Sequence, residues 1–211
     1  MTGDTKVVPR QAMDRIFINT TGIGYMLPQA HIQAQRLRPG DSIIVSGTIG
    51  DHGLTILSAR ENLLIESLLS DSASIYPLVA SLFEAGIDPL FLRDPTRGGV
   101  AAVLHELAED TQLSMLIDES SVPLSDPVRG ASELLGLDPL FIANEGKIMV
   151  FVRPEASARC LDILRQHPLG QHAARIGEVV EKTSAPVIVR NAFGSLRVLD
   201  EPQGAFLPRI C

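Results

Sequence analysis

The stretch Ser46-Gly47-Thr48-Ile49-Gly50-Asp51-His52-Gly53 follows an apolar run at residues 42–46 and precedes a helical pattern that begins near residue 53. Its three glycines predict a tight junction between a strand and a helix, where backbone N–H groups can bind an anion at the start of the helix. The junction is not a Walker A loop, because no Gly-Lys-Ser/Thr follows. The pattern alone favours an anion site and a plain tight turn equally.

Strand and helix patterns continue to alternate on the C-terminal side of this junction. The predicted strands lie at residues 42–46, 90–93, 113–118, 147–152, 174–180, 186–189 and 196–199, and the predicted helices at about 53–64, 74–86, 98–109, 127–136 and 154–166. These elements follow no strict βαβ rhythm. We therefore predict an α+β fold rather than a doubly wound parallel sheet.

The residues before the junction predict a separate part of the protein. A β-rich run at residues 16–20 is followed by a Gly22-Ile23-Gly24 break, and the turn Pro39-Gly40-Asp41 precedes the region described above. We therefore place a domain boundary near residues 36–40, with one domain over residues 40–199.

The last segment, residues 200–211, has two prolines and no periodicity, so we predict a flexible tail. Fully extended, it could reach on the order of 40 Å. Its terminal Cys211 is either an accidental exposed thiol or, as the position favours, a carrier of an acyl-type group. Arg209 would favour the thiolate, whereas the adjacent α-carboxylate would oppose it. Cys160 lies in an amphipathic segment and is predicted to be part of the core.

Composition excludes several classes of protein. The 211 residues contain 18 Lys+Arg and 25 Asp+Glu, a net charge of −7, and only 4% aromatic residues, so binding to nucleic acid is not expected. No apolar run reaches the ~18 residues that cross a bilayer, and the first residues do not resemble a signal peptide. Two cysteines make no disulfide framework. We expect a cytoplasmic protein with reduced thiols.

Two further polar segments could carry chemistry. Asp94-Pro95-Thr96-Arg97-Gly98-Gly99 precedes a predicted helix, where its Asp or Thr could simply cap the helix. Equally, its carboxylate, guanidinium and glycines suit a divalent cation and a phosphate. Asn144-Glu145-Gly146-Lys147 precedes an apolar strand. Such a charged loop is usually solvated, although it could also bind a metal or a ribose or supply a general base. The histidines show no zinc-ligand spacing.

Together these segments resemble the HypE family of hydrogenase expression/formation proteins. That family belongs to the superfamily of aminoimidazole ribonucleotide (AIR) synthetase and selenophosphate synthetase. The matching segments are Thr2-Gly3-Asp4-Thr5-Lys6-Val7-Val8, Phe17-Ile18-Asn19-Thr20, Gly40-Asp41, residues 45–53, residues 94–100, residues 144–147, His167-Pro168-Leu169-Gly170, Ile176-Gly177-Glu178-Val179 and Pro208-Arg209-Ile210-Cys211. The Pro-Arg-Ile-Cys ending separates the chain from the two sister enzymes.

The resemblance implies the C-terminal αβ domain of the AIR-synthase-like fold for residues 40–199, preceded by a remnant of the N-terminal β-rich, ATP-binding domain at residues 1–39. It also implies a chemistry in NiFe-hydrogenase maturation. The carbamoyltransferase HypF loads a carbamoyl group on the C-terminal thiol, and ATP drives dehydration to a thiocyanate. The cyanide ligand then passes to iron on the HypC–HypD complex. ATP and Mg²⁺ are the implied cofactors, and a homodimer is the implied assembly.

Seven residues receive roles from this resemblance. The assigned roles are metal ligand for Asp94, phosphate contact for Lys6, proton acceptor for Glu145, covalent carrier for Cys211, and nucleotide contacts for Asp4, Arg97 and Asn144. A base is needed because forming C≡N from an amide requires loss of N–H protons as phosphate leaves.

The chain differs from the family at its start. Family members carry a preceding region that supplies a glycine-rich phosphate segment, further acidic metal ligands and much of the dimer surface. We therefore expect the chain to be N-terminally truncated and to bind ATP weakly when it is alone. Two alternatives to a dehydratase stay open. One is a non-catalytic fragment that only binds partners, and the other is a sister-type phosphotransferase, which the terminal cysteine argues against.

Overall fold

A seven-stranded sheet forms the centre of the computed structural model, which describes residues 23–202 except residues 26, 64 and 66. The strands are β1 Ser42–Val45, β2 Phe91–Arg93, β3 Ser114–Asp118, β4 Met149–Val152, β5 Ala174–Val180, β6 Val187–Arg190 and β7 Leu196–Val198. Their spatial order is β2-β4-β1-β5-β3-β6-β7. Of the neighbouring pairs only β3 and β6 run parallel, so the predicted α+β class is confirmed.

Helices cover both faces of this sheet. In the described part of the chain they are α1 Asp51–Arg60, α2 Tyr76–Glu84, α3 Gly99–Thr111, α4 Asp126–Leu135 and α5 Pro154–Gln166, with short 3-10 helices at Ala34–Arg36, Glu119–Ser121, Pro139–Phe141 and Pro168–Gly170. Helix α3 packs on one face of the sheet, and α2 and α5 pack on the other. Helices α1 and α4 share a smaller apolar cluster with Ile142.

The central position of strand β1 explains why its sequence does not alternate between apolar and polar residues. Ile43 and Val45 lie in the cluster with α3, whereas Ile44 lies in the cluster with α2 and α5. All three side chains are 0% exposed. A central strand with helices on both faces is expected to be apolar throughout.

The predicted elements within the described residues are present, with ends displaced by a few residues. The largest difference is α1, which begins at Asp51 and ends at Arg60 rather than spanning 53–64. It begins earlier because Gly50 adopts φ +90° and occupies the N-cap position, a left-handed conformation that glycine adopts readily. The predicted strand at residues 16–20 lies outside the described part of the chain.

Cys160 confirms the prediction that it belongs to the core. It lies on α5, is 0% exposed, and packs in the cluster between α5, α2 and the sheet. Burial raises the pKa of its thiol to about 12, because the thiolate would lose its hydration there. The thiol therefore stays protonated and unreactive near neutral pH.

The turn at the predicted domain boundary is held by a buried carboxylate. Asp41 is 1% exposed, accepts an N–H bond from Arg38 at 2.7 Å, and accepts two bonds from Arg153 Nη1 at 2.7 and 2.8 Å. Arg153 also donates to the carbonyl oxygen of Arg36 at 3.1 Å. Residues 36–41 are thereby fastened to the start of α5. The boundary itself stays a prediction.

Near the other end of the predicted domain, Leu199 is held in the structure and is 1% exposed. Its N–H donates to the carbonyl oxygen of Val187 at 3.0 Å, and its own carbonyl oxygen lies 3.0 Å from His105 Nε2. The predicted site residues Asp4, Lys6 and Cys211 lie outside the described residues. Among the helices of the described part, none has the length and apolar character needed to cross a membrane.

Candidate functional site

Four segments of the chain pack together, and we call them the four-loop cluster. They are residues 46–53, 70–73, 94–99 and 140–147. Glycines allow this close approach, because a Cβ on Gly99 would lie 2.5 Å from the carbonyl oxygen of Leu140. Similarly, a Cβ on Gly146 would overlap the backbone carbonyl oxygen of Asp71. Larger residues at these positions would force the loops apart.

Asn144 connects three of these segments. Its Oδ1 accepts from Gly50 N–H at 2.8 Å, and its Nδ2 donates to the carbonyl oxygens of Pro95 and Ile142, both at 3.0 Å. Its backbone N–H also donates to Pro95, at 3.1 Å. Asn144 is 1% exposed and both its amide donors are used within the protein. The geometry therefore favours a structural part for Asn144 over the direct nucleotide contact predicted from the sequence.

Three backbone donors of the glycine junction at residues 46–53 are used within the protein. Ile49 N–H donates to Pro123 at 3.0 Å, and Gly53 N–H donates to Ala143 at 3.0 Å. Gly50 N–H is already taken by Asn144. These three donors are therefore not available to an anion, and the anion site at this junction stays a prediction.

The side chain of Asp51 holds this junction by hydrogen bonds. Its two carboxylate oxygens accept hydroxyl hydrogen bonds from Thr48 and Ser125, each at 2.7 Å. Asp51 also lies in the first turn of α1, where a negative charge is stabilised by the helix dipole. The carboxylate joins the junction to the start of α4, so its contacts are structural.

The segment before α3 has the opposite character, because Asp94 and Arg97 are both exposed. The N-cap of α3 is Gly98, at φ +70° and without a side-chain cap bond. Neither Asp94 nor Thr96 therefore caps the helix, and that interpretation of the segment was wrong. The bonds from Asn144 to Pro95 place this segment next to Glu145.

The Asn-Glu-Gly-Lys loop is not a solvated charged loop. Lys147 forms an ion pair with Asp71 at 3.0 Å, and the two side chains are 11% and 4% exposed. The backbone N–H of Glu145 donates to the other oxygen of Asp71 at 3.1 Å. Glu145 Oε1 is buried and has no hydrogen-bond partner among the described residues. A carboxylate oxygen in that condition has lone pairs available to accept a proton.

A cavity of about 310 Å³ adjoins the cluster. Its walls include Gly47, Thr48, Asp71, Lys147 and His172. A larger cavity of about 580 Å³ lies between α3 and the residues after β5, away from the predicted site residues. Within the described residues, no three His, Cys, Asp or Glu side chains group as a metal site.

Comparison with known proteins identifies the family of this chain. The family described as AIR synthase related protein, C-terminal domain, matches residues 38–190. The chain belongs to this family. It is 47% identical over its full length to the hydrogenase expression/formation protein HupE of Azotobacter chroococcum mcd 1 and to the carbamoyl dehydratase HypE of Escherichia coli K12. The chain spans 62% of the length of each relative, and the resemblance to HypE is confirmed.

Solved structures show the same likeness. A crystal structure of E. coli HypE matches 86% of this chain and 56% of that chain, with 47% identity and a TM-score of 0.80. A HypE structure in complex with ATP matches 85% of this chain and 55% of that chain, with 42% identity and a TM-score of 0.79. A structure of a HypE–HypF complex matches 81% of this chain and 56% of that chain, with 37% identity and a TM-score of 0.75.

Asp71 is the residue of the cluster that the sequence did not reveal. It lies between α1 and α2, in a segment without a predicted element, and it belongs to no motif with Glu145 or Lys147. Its partners are 74 and 76 residues away along the chain. Local spacing carries no signal over that separation, because only the fold brings the segments together.

Proposed function

We propose that this chain forms part of an ATP-dependent carbamoyl dehydratase of NiFe-hydrogenase maturation, and that Cys211 carries the reacting group. The proposal is supported by 47% identity to the E. coli relative of that name. Because the chain spans 62% of that relative, the activity belongs to the longer protein. In this proposal, residues 40–199 are its C-terminal domain, residues 1–39 the end of its ATP-binding domain, and residues 200–211 a flexible carrier tail.

One structural observation carries the proposal: Glu145 Oε1 is buried and has no hydrogen-bond partner among the described residues. A buried polar atom without a partner is costly, so a protein that keeps one has a use for it or an absent partner to fill it. An N–H group of a carbamoyl substrate is such a partner. Glu145 would accept the hydrogen bond first and the proton afterwards.

The proposed reaction balances as thiocarbamate plus ATP giving thiocyanate, ADP, phosphate and one proton, which is released to solvent. The carbamoyl oxygen is a poor leaving group until phosphoryl transfer from ATP converts it to a phosphate ester. One N–H proton leaves as the C=N bond forms. The second leaves to Glu145 as the C–O bond breaks, phosphate departs, and C≡N is complete on the sulfur of Cys211.

The described residues fit a magnesium nucleotide in part. Asp94 is an exposed carboxylate, and carboxylate oxygen is the ligand type that Mg²⁺ prefers. The ion would neutralise phosphate charge when bound. Arg97, also exposed and three residues further on, is proposed to contact phosphate. Lys6 and Asp4 are proposed to complete the phosphate and metal contacts from the preceding domain.

Three assembly proposals accompany the chemistry. HypF as the donor of the carbamoyl group is supported by likeness to the HypE of the HypE–HypF complex, at 37% identity. The HypC–HypD complex is proposed as acceptor of the cyanide, and a homodimer as the assembly of the longer protein. Each rests on the family resemblance.

The test uses a full-length hybrid, which joins this chain to the part of the E. coli relative that it lacks. Glu145→Gln in this hybrid should leave carbamoylation of Cys211 by HypF intact and block thiocyanate formation. Carbamoyl transfer needs only an accessible thiolate, whereas dehydration needs a base, and glutamine cannot accept the proton. Intact-protein mass spectrometry separates the two adducts by the mass of one water.

Glu133→Gln is the matched control, because Glu133 is an exposed glutamate on α4. It should dehydrate at the rate of the parent hybrid. If Glu145→Gln forms the dehydrated adduct as fast as the parent does, Glu145 is not the base. If the parent hybrid accepts the carbamoyl group but never dehydrates it, the chain is a carrier and partner-binding module instead.

A further inference from the structure

We propose that Asp71 is the positioning residue that fixes Glu145 for proton transfer; this inference rests on the function proposed above. The two carboxylate oxygens of Asp71 hold the loop at Glu145 and at Lys147. One accepts the backbone N–H of Glu145 at 3.1 Å, and the other pairs with Lys147 Nζ at 3.0 Å. A single side chain thereby fixes residues 145–147 at two points.

Because these groups are buried, the loop at residues 145–147 has little freedom to move. The side chain of Asp71 is 4% exposed and that of Lys147 is 11% exposed, so water does not compete freely for either. Between them, Gly146 packs so closely on the backbone of Asp71 that a Cβ would overlap its carbonyl oxygen. The loop therefore cannot move toward Asp71, and the two bonds keep it from moving away.

Asp71 is in turn held by helix α1. The hydroxyl group of the preceding Ser70 lies 2.9 Å from Nδ1 of His52, which is 0% exposed in the first turn of α1. The same hydroxyl accepts from the backbone N–H of Ser72 at 3.2 Å. Asp71 therefore connects α1, through Ser70, to the loop at residues 145–147, which has no regular secondary structure.

The side chain of Glu145 makes this support necessary. Its buried Oε1 has no partner among the described residues, so no hydrogen bond on that oxygen sets the direction of the carboxylate. The position of the carboxylate then depends on the backbone at residue 145, from which the side chain extends, and on the packing around that side chain. Catalytic groups need positions held to a fraction of an ångström, and small displacements reduce rate without removing the group.

Three variants separate the two bonds of Asp71. Asp71→Ala removes both, Asp71→Asn keeps an oxygen that can accept the Glu145 N–H, and Lys147→Met removes the ion pair alone. In the 211-residue chain, amide hydrogen exchange at Glu145 should become about fivefold faster or more in Asp71→Ala and stay near the parent rate in Asp71→Asn. The amide of Ile44 in central strand β1 reports global unfolding, so exchange at Glu145 should increase more than exchange at Ile44.

Activity is measured in the full-length hybrid. Asp71→Ala should slow dehydration of the carbamoylated thiol about tenfold with the KM for ATP unchanged, and Asp71→Asn should restore most of the rate. A general loss of structure would instead raise the KM for ATP and accelerate exchange at Ile44 as much as at Glu145. Unchanged Glu145 exchange in Asp71→Ala, or dehydration at the parent rate, would overturn the proposal.

The exchange measurement does not depend on the proposed reaction. If the parent hybrid fails to dehydrate its carbamoyl group, the proposed function falls. An increase in exchange that is larger at Glu145 than at Ile44 in Asp71→Ala, with recovery in Asp71→Asn, would still support the positioning contact. Equal exchange in all variants would overturn it independently.

Discussion

Two glycine-containing loops lead into helices in this chain, and the structure uses them in opposite ways. The junction at residues 46–53 directs its N–H groups and the carboxylate of Asp51 into contacts with the protein. The segment at residues 94–99 instead leaves Asp94 and Arg97 exposed. From the sequence alone, the two were equally good candidates for binding an anion.

The comparison of the two loops shows why glycine occurs in the first turn of these helices. In both loops a glycine is needed because another segment lies against it, as Gly53 packs on Ile142 and Gly99 on Leu140. Close packing, and not ligand binding, accounts for these two glycines. The exposed carboxylate of Asp94 is what keeps the second loop as the proposed binding segment.

The largest effect is expected where the second loop packs most closely. Gly99→Ala should destabilise the chain by at least about 3 kcal/mol, since its Cβ would meet backbone carbonyl oxygens and its φ of +63° disfavours alanine. Unfolding by denaturant, followed by circular dichroism, measures this change. Gly130→Ala on α4 is the control, because a Cβ there meets nothing within 4 Å.

Gly130→Ala should stabilise the chain by about 0.5–1 kcal/mol, the usual gain of alanine over glycine within a helix. Equal stability of the Gly99→Ala and Gly130→Ala variants would show that close packing does not explain the glycine at the first position of α3.

A smaller loss is expected at the first loop. Asp51→Ala should reduce the free energy of unfolding by about 2 kcal/mol, because it removes the acceptor for Thr48 and Ser125 and a favourable charge at the start of α1. Asp51→Asn keeps one acceptor and should lose about half as much. Denaturant unfolding of both variants checks the order, and a change below about 0.5 kcal/mol for alanine would contradict a structural role.

Sequence reasoning succeeded where short-range pattern determines structure. The period of the apolar residues placed α5 and its buried Cys160, and the uninterrupted run of β1 is what a strand covered on both faces requires. These features depend on residues within one or two turns of each other. They could be found without knowing which elements become neighbours.

The contacts of the candidate site could not be found in this way. Asn144 joins Gly50 across 94 positions and Pro95 across 49, and Asp71 joins Glu145 across 74. Motif resemblance located Asn144 and Glu145 but not the hydrogen bonds that hold them, because those depend on the fold. The resemblance gave Asn144 a nucleotide contact, which stays a prediction, and the loop-joining bonds of its amide became visible only in the structure.

The smallest effect on stability is expected for substitution of Asp94. This substitution is also the sharpest test of the contrast between the loops at residues 46–53 and 94–99. Asp94→Asn should change the free energy of unfolding by less than about 0.5 kcal/mol, because the side chain is exposed and caps no helix. In the full-length hybrid it should nevertheless weaken ATP binding about tenfold when magnesium is present, since an amide is a poorer ligand for the ion than a carboxylate. Calorimetric titration with and without magnesium checks this, and the loss should disappear without the ion. Asp110→Asn, an exposed aspartate of α3, should leave binding unchanged. A loss of stability as large as that of Asp51→Ala, or ATP binding equal to the parent, would place Asp94 with the structural loop and remove the contrast between the two.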